Sequence, residues 1–493
     1  MKNTLVAPTT KEAGWLFAAF FLFYFLFLGS HPLLLPDEGR YSEVAREMLA
    51  SGDFITPRLN GSLFFHKPIL FYWLQTIPIS LFGINPWSLR IVPALLGVGG
   101  IVFQYWTCSL FLGRSIGLKS ALILGTTPLY FGAAHYADMD LEVAVWLNAC
   151  LLSLFVGIQH DKKSWLISAY IFGALAFLTK GLIGLAFPAT IMGLWIVWTR
   201  QWTLIKKLQL PLGLALFFLI TLPWLIVVSQ RNPDFLHFFF YEQQFTRFAG
   251  AGFNNAVPWW FYIAITLGGF IPWTYFLLRH FKVLYRLESQ QPTVLYLTIW
   301  ALSVLIFFSI PQSKLVGYIL PIFAPLAILT AVLIENIAVP EKIFRTILAM
   351  VAILALLFAG TLRYFPTKSL RSMRELVKAL PQNIAPLSIV SYHTYIQDLP
   401  LYRQQTIRVV YHWQNIHGDN WSSELAYALA YDPAQNKRLI DDNTFWQLWR
   451  QKRPLYVFIQ KKDLPDFTEK AGNFKQIAAD KNTIVVTQSS SPN

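Results

Sequence analysis

Apolar residues fall in long blocks along this chain, each about as long as a helix needs to cross the hydrocarbon core of a bilayer. Blocks near 13–30, 88–112, 116–134, 141–158, 164–179, 182–199, 209–229, 257–278, 293–310, 317–334 and 345–362 each read as one spanning helix. A shorter run at 68–82 could add a re-entrant or extra helix, so about 11–13 transmembrane helices are expected. The pattern changes near residue 363. Short β-rich runs follow, LSIVSY, TIRVVY, LYVFI and TIVVT, with a helix-like DNTFWQLWRQ among them. The expectation is a polytopic α-helical membrane domain over 1–362, whose first large loop spans 31–87 with interfacial helices. A small soluble α/β domain then covers 363–493.

Composition agrees. The chain is 55% hydrophobic and only 13% charged, with a mean hydropathy of +0.45, where a soluble domain carries about 25% charged residues. The net charge of +14 does not indicate nucleic acid, because much of the Lys and Arg lies in short loops between apolar blocks. Lys2 and Lys11, Arg114 and Lys119, Lys162 and Lys163, Arg200, Lys206 and Lys207, Arg279, Lys282 and Arg286, and Lys342 and Arg345 fall in alternate connections. That set is assigned to the cytoplasm by the positive-inside rule. The other connections, and the tail, are assigned to the extracytoplasmic side. Cys108 and Cys150 both lie inside apolar blocks and suggest neither a disulfide framework nor a metal site. The first block has no small-residue cleavage pattern and is read as an uncleaved anchor.

The parity has a consequence for function. Asp37, Lys67, Asp138, Lys180, Arg247, Lys314 and Tyr318 come from separate parts of the chain, yet all are assigned to one membrane face. Charges at a bilayer are costly unless paired or solvated and tend to mark function. In LLLPDEGRYSEVAREM, Asp37 reads as the N-cap of a short amphipathic helix closed by Gly52. Tyr41, Val44, Ala45, Met48 and Leu49 would form its apolar stripe, and Glu43, Arg46 and Glu47 its solvated face. Asp37, at the junction of span and helix, is the candidate catalytic carboxylate. Asn60-Gly61 marks a turn. Lys67 sits among His66 and aromatic residues, Lys180 is separated from the next block by little more than Gly181, and YEQQFTRFAG supplies Arg247. Such basic groups beside an acid suit an anionic lipid head group such as a phosphate.

Several stretches, DEGRYSEVAREMLASGDFITPRLNGSLFFHKPILFYW, ADMDLEVAVWL, ALAFLTKGLIGLAFP, LPWLIVVSQRNPDFLHFFFYEQQFTRFAG and FFSIPQSKLVGYILPIFAPLAIL, resemble in order the 4-amino-4-deoxy-L-arabinose (aminoarabinose) transferase family, related to protein O-mannosyltransferases. The likeness runs from about residue 12 to 335. It implies a GT-C fold and inverting transfer from a polyprenyl-phosphate sugar. The family's first-loop acidic motif falls on Asp37 and Glu38, with Arg40 and Tyr41 beside it. Its loop lysine falls on Lys67, its second aspartate on Asp138, its helix-end lysine on Lys180 and its late tyrosine on Tyr318. Two positions depart from the family: His66 stands where a glutamate is common, and Gln244 where a histidine is common. In the family that pair can share a metal ion, and Gln is a poor ligand for a borderline-soft metal. No cofactor is required by the expected chemistry, and a metal is left open with His66 as the sole candidate ligand.

The reading is an integral-membrane glycosyltransferase in the bacterial inner membrane, with its active site and tail on the periplasmic side. Its partners are a polyprenyl-phosphate-linked sugar donor, a lipid or glycan acceptor and the bilayer. Asp37 serves the acceptor; Glu38, Arg40, Tyr41, Lys67, Asp138, Lys180, Arg247, Lys314 and Tyr318 bind substrate. The alternative is a transporter or flippase of a phosphorylated lipid, which would favour inverted repeats and charges near the midplane.

Overall fold

The computed structural model describes residues 8–246, 257–364, 372–411, 425, 437–451 and 453–489. The chain divides into two compact units. The first holds Met1–Leu28, Lys67–Phe71 and Arg90–Gly360; the second holds Gly29–His66, Tyr72–Leu89 and Thr361–Asn493. The first extended loop is thus grouped with the tail, not with the apolar helices.

Every apolar block is helical. In the first unit they become Thr10–Phe25, Pro86–Leu112 (from Arg90 onward), Arg114–Thr126 with Pro128–Ala134, Asp140–His160, Lys163–Lys180, Ile183–Thr199, Leu210–Arg231, Pro292–Ser309, Phe323–Asn336 and Glu341–Thr361. Among the described residues six helices are each long and apolar enough to cross a membrane, or seven if one bent pair counts as a span. That pair is Phe261–Gly269 and Trp273–Arg279, bent by 115°, where one straight span over 257–278 was expected. The break falls where Gly268 and Gly269 weaken the helix and Pro272 brings no N–H. The Thr274 hydroxyl donates to the Leu267 carbonyl at 2.7 Å and recovers one freed acceptor. Helix Asp140–His160 is the most enclosed of the six, with 94% of its apolar window buried, against 17% for Glu341–Thr361.

The second unit is built on a six-stranded sheet, ordered β5-β4-β3-β6-β8-β7. Its strands are β3 (Ile389–Tyr392), β4 (Arg408–Val410), β5 (Leu439–Ile440), β6 (Tyr456–Gln460), β7 (Phe474–Ala479) and β8 (Thr483–Gln488). The first four in sheet order run parallel, and β8 and β7 add an antiparallel edge. All four strands legible in the sequence are present. Helix Asp442–Trp449 is present too, capped by the Asp441 carboxylate, which accepts the Thr444 N–H at 2.8 Å. A hairpin, β1 (Arg58–Leu59) and β2 (Ser62–Leu63), turns at Asn60-Gly61, both with positive φ. The Asn60 amide pairs with the Ile407 backbone, donating at 3.0 Å and accepting at 2.8 Å. One side chain thereby fastens the first loop to the start of β4 in the tail's sheet.

Helix Asp37–Ser51 departs from expectation. It closes at Gly52, in a left-handed conformation, as the sequence indicates. However, Pro36 occupies the cap position, and Asp37 is the first helical residue. The polar face of the helix is not solvated. Glu43 is fully buried, and Arg46 and Glu47 are nearly so. Arg46 grips Glu43 through two hydrogen bonds of 2.7 Å, and Glu47 accepts the Gly61 N–H at 2.9 and 3.0 Å. The polar stripe is a second buried face, satisfied by its own pairings and by the hairpin turn. Removing one partner of such a buried pair costs about 3–5 kcal/mol.

The helix also meets the tail closely at Gly39. A Cβ built there would lie 2.9 Å from the Asp398 Cβ. Asp398 is fully buried. Its Oδ2 accepts from the Met373 N–H (2.9 Å) and the Ser372 hydroxyl (3.0 Å). Burial raises its pKa to about 7, against the lowering effect of those two donors. The folded form keeps this proton up to about pH 7, whereas the unfolded chain loses it near the ordinary aspartate value, so stability declines as pH rises through that window and levels off above it. The displacement is worth about 4 kcal/mol at most. Asp398→Asn retains an acceptor for both donors and should remove this decline. Its melting temperature in detergent should gain on wild type from pH 5 to 7. Parallel curves for the two proteins would show that Asp398 is ionised in the fold.

Candidate functional site

In the first unit, two helix ends and one tight turn assemble a charged cluster. Lys180 is the last residue of Lys163–Lys180, and Asp140 is the first residue of Asp140–His160. A cation at a helix C-terminus and an anion at a helix N-terminus both sit where the helix dipole favours them. The two side chains form an ion pair. They are only 8% and 11% exposed, so each neutralises a charge that is largely out of water. Gly181 ends the lysine's helix with φ +86°, a backbone only glycine adopts readily, and its N–H donates to Phe177 at 2.7 Å.

Tyr318 closes the cluster from the 3-10 turn Val316–Ile322. The Lys180 ammonium stands 3.9 Å from the centre of its ring, a cation–π contact. Asp138 accepts the Asp140 N–H at 2.9 Å and so shapes the helix entry. Glu142, fully buried one turn on, accepts from the Thr179 hydroxyl at 2.9 Å and the Trp146 indole at 3.3 Å. Thr179 precedes Lys180, so this bond ties the lysine's helix end to the aspartate's helix. Gly317 leaves room for the pair: a Cβ there would sit 2.0 Å from the Asp140 Oδ2.

Of the sequence-derived candidates, Asp138, Lys180 and Tyr318 thus come together. Lys67 belongs to the same unit, half-buried just before helix Leu70–Phe82. Lys314 is buried and donates to the carbonyls of Pro311 (2.5 Å) and Val257 (3.2 Å), bracing its own loop. Arg247 lies outside the described residues. The central partner missed in the sequence is Asp140. ADMD offers two acids two residues apart, and only the fold shows which one meets Lys180. Gly317 was also missed, since its role lies in what it lacks.

The remaining candidates belong to the second unit. Asp37 pairs with Arg40 one turn on, and the Arg40 guanidinium lies 5.0 Å from the Tyr41 ring centre. Tyr41 packs beside Tyr72, ring centres 6.4 Å apart. Glu38 turns back to accept the N–H of Leu34, ahead of the helix, at 2.7 Å. The Asp37 carboxylate remains 21% exposed, in contrast to the buried Glu43. His66 stacks flat on Phe64, ring centres 4.6 Å apart. Among the described residues no three His, Cys, Asp or Glu side chains gather as a metal centre would require.

The helical architecture with buried ion pairs at helix ends defines a polytopic membrane protein of the GT-C fold class. Residues 66–227 match the family model described as dolichyl-phosphate-mannose-protein mannosyltransferase. An undecaprenyl phosphate-alpha-4-amino-4-deoxy-L-arabinose arabinosyl transferase of Erwinia tasmaniensis is 36% identical over 324 residues, 64% of this chain and 58% of the relative. The protein of the same description from Enterobacter sp. (strain 638) is 31% identical over 403 residues, 77% of this chain and 71% of the relative. The crystal structure of ArnT from Cupriavidus metallidurans bound to undecaprenyl phosphate matches with a TM-score of 0.85 and 25% identity, covering 98% of this chain and 99% of that one. The chain belongs to the undecaprenyl phosphate-aminoarabinose arabinosyl transferase family, and it is a polytopic bacterial inner-membrane protein. It spans about three fifths of the length of curated relatives such as the Erwinia protein.

The packing at Gly317 is directly testable. Gly317→Ala must displace the Asp140 carboxylate or the 3-10 turn, and overpacking of this kind costs about 1–3 kcal/mol. The variant should melt several degrees below wild type in detergent. An unchanged melting temperature would mean that the turn has slack.

Proposed function

We propose that this chain is an inverting glycosyltransferase that moves a sugar from a polyprenyl-phosphate donor to an extracytoplasmic acceptor. The buried Lys180, held between Asp140 and the Tyr318 ring, carries the reading: an ammonium kept charged away from bulk water suits a donor phosphate. The names of the relatives point to undecaprenyl phosphate-α-4-amino-4-deoxy-L-arabinose as the donor. The acceptor is a lipid A-like glycolipid, another envelope glycan or a protein.

In this mechanism an acceptor oxygen attacks the anomeric carbon, the carbon–oxygen bond to phosphate breaks, and polyprenyl phosphate leaves with the bonding pair. Lys67, Lys180 and Arg247 hold the phosphate and stabilise the charge that grows on it; Tyr318 keeps the Lys180 ammonium in place. If the acceptor is a hydroxyl, its proton passes to the Asp37 carboxylate. If it is a phosphate, already anionic, Asp37 orients it. Glu38, Arg40 and Tyr41 support Asp37, Asp138 shapes the entry to its helix, and Lys314 braces the loop ahead of Tyr318.

Transfer from purified lipid-linked donor, with monodispersity in detergent as the folding control, tests these roles. Asp37→Asn should lower turnover by about a hundredfold or more, the usual scale for a positioned acid or base. Lys67→Ala and Lys180→Ala should weaken donor binding by roughly tenfold to a hundredfold, the value of one charge-assisted hydrogen bond. A folded, fully active Asp37→Asn protein would strip that residue of its chemistry.

The site and tail face the periplasm in this proposal, with the N-terminus and the 200–207 loop in the cytoplasm. Lys481 is exposed in the tail, and the native Cys108 and Cys150 are buried. Lys481→Cys should therefore react with a membrane-impermeant maleimide before the inner membrane is opened. Reaction only afterwards would invert the topology.

A further inference from the structure

A buried lysine that waits for an anionic substrate already has an anion beside it. The pairing of Lys180 with Asp140 therefore bears on how the phosphate is bound and, equally, on how it is let go. Asp140 is poorly solvated, and the Gly317 backbone leaves its Oδ2 no room to retreat on that side. Among the described residues, Asp140 accepts the one side-chain hydrogen bond of the Lys180 ammonium, which has three N–H donors. The Tyr318 ring covers another side. Two acids flank the ammonium's partner along the same helix entry, Asp138 before it and Glu142 after it. A phosphate approaching Lys180 therefore meets an incumbent carboxylate.

We propose that Asp140 is the resting counter-ion of Lys180 and competes with the polyprenyl phosphate for it, so that Asp140 limits donor affinity and drives release of the leaving phosphate. The inference rests on the reading of this cluster as the donor-phosphate site. The donor's phosphodiester carries one negative charge. The departing polyprenyl monophosphate carries between one and two, given a second pKa near 6. Lys180 alone would grip the product more tightly than the donor. Asp140, returning to the ammonium as the sugar is transferred, opposes that grip. It is a positioning residue: it touches Lys180 and makes no bond to the reacting atoms.

A merely structural role predicts the opposite sign from this one. If Asp140 only props Lys180 in place, Asp140→Asn loosens the lysine and weakens binding. If Asp140 competes, the same variant binds undecaprenyl phosphate more tightly, by about tenfold, the lower range for one charge-assisted bond no longer contested. Its kcat should fall, its KM for donor should fall with it, and inhibition by added undecaprenyl phosphate should deepen. Asp140→Glu, which restores the charge, should return the affinity towards wild type.

The probe is undecaprenyl phosphate itself, titrated into the purified full-length protein in detergent and followed by thermal shift and by inhibition of transfer. Tighter binding to folded Asp140→Asn supports competition; equal or weaker binding overturns it while leaving the donor-site reading intact. Should the Asn variant not fold, Asp140→Ser, smaller and also neutral, carries the same expectation. Failure of wild type to bind undecaprenyl phosphate at all would remove the donor-site reading, and this inference with it.

Discussion

An ammonium taken out of water is costly unless a counter-charge meets it, and Lys180 is met by Asp140. Much of the first unit's local architecture serves that meeting. Asp140 begins its helix and Lys180 ends another, so each charge occupies the end of the dipole that favours it. Glu142 and Thr179 tie the same two helices together just beside the pair. Gly317 brings a third segment against the carboxylate, and with it Tyr318 over the ammonium. A charge placed this way is rigid before any ligand arrives, and preorganised charge is what stabilises a leaving phosphate without reorganisation.

The second unit answers the same constraint with a different result. Glu43 and Arg46 are buried as a two-bonded pair, and Glu47 is taken up by the Gly61 N–H. These groups satisfy one another and leave little capacity for a ligand. Asp37 differs: its carboxylate stays partly exposed beside Arg40. Charge density along a sequence therefore does not rank residues for chemistry. What distinguishes them is how far burial and pairing take each one out of solvent.

The same test sorts the lysines. Lys314 spends its donors on the carbonyls of Pro311 and Val257 and steadies the loop from which Tyr318 follows. Lys180 is held by one carboxylate and one ring. Both are buried lysines, one at a helix end and one in a loop, and their partners give them different work. His66, where the sequence departs from its relatives, is stacked on Phe64.

Helices, strands and turns were legible because they follow from local periodicity. Apolar blocks of membrane length must satisfy their backbone as helices, and Asn60-Gly61 has the left-handed freedom that a tight hairpin needs. Membership of one polar cluster was legible for Lys180, Asp138 and Tyr318, because polar residues at the ends of apolar blocks are conspicuous. Three things were decided only by tertiary structure. The helix after Asp37 has the spacing of a surface helix, yet its polar stripe is buried, because Arg46 pairs with Glu43 within it and the hairpin turn takes up Glu47. The block at 257–278 has the composition of one span, yet it bends at Pro272. Between the two acids of ADMD, separated by one methionine, only the fold shows that Asp140 is the lysine's partner. Periodicity is a property of neighbours in the chain, whereas the pairing of a charge depends on which distant backbone comes close enough to exclude water.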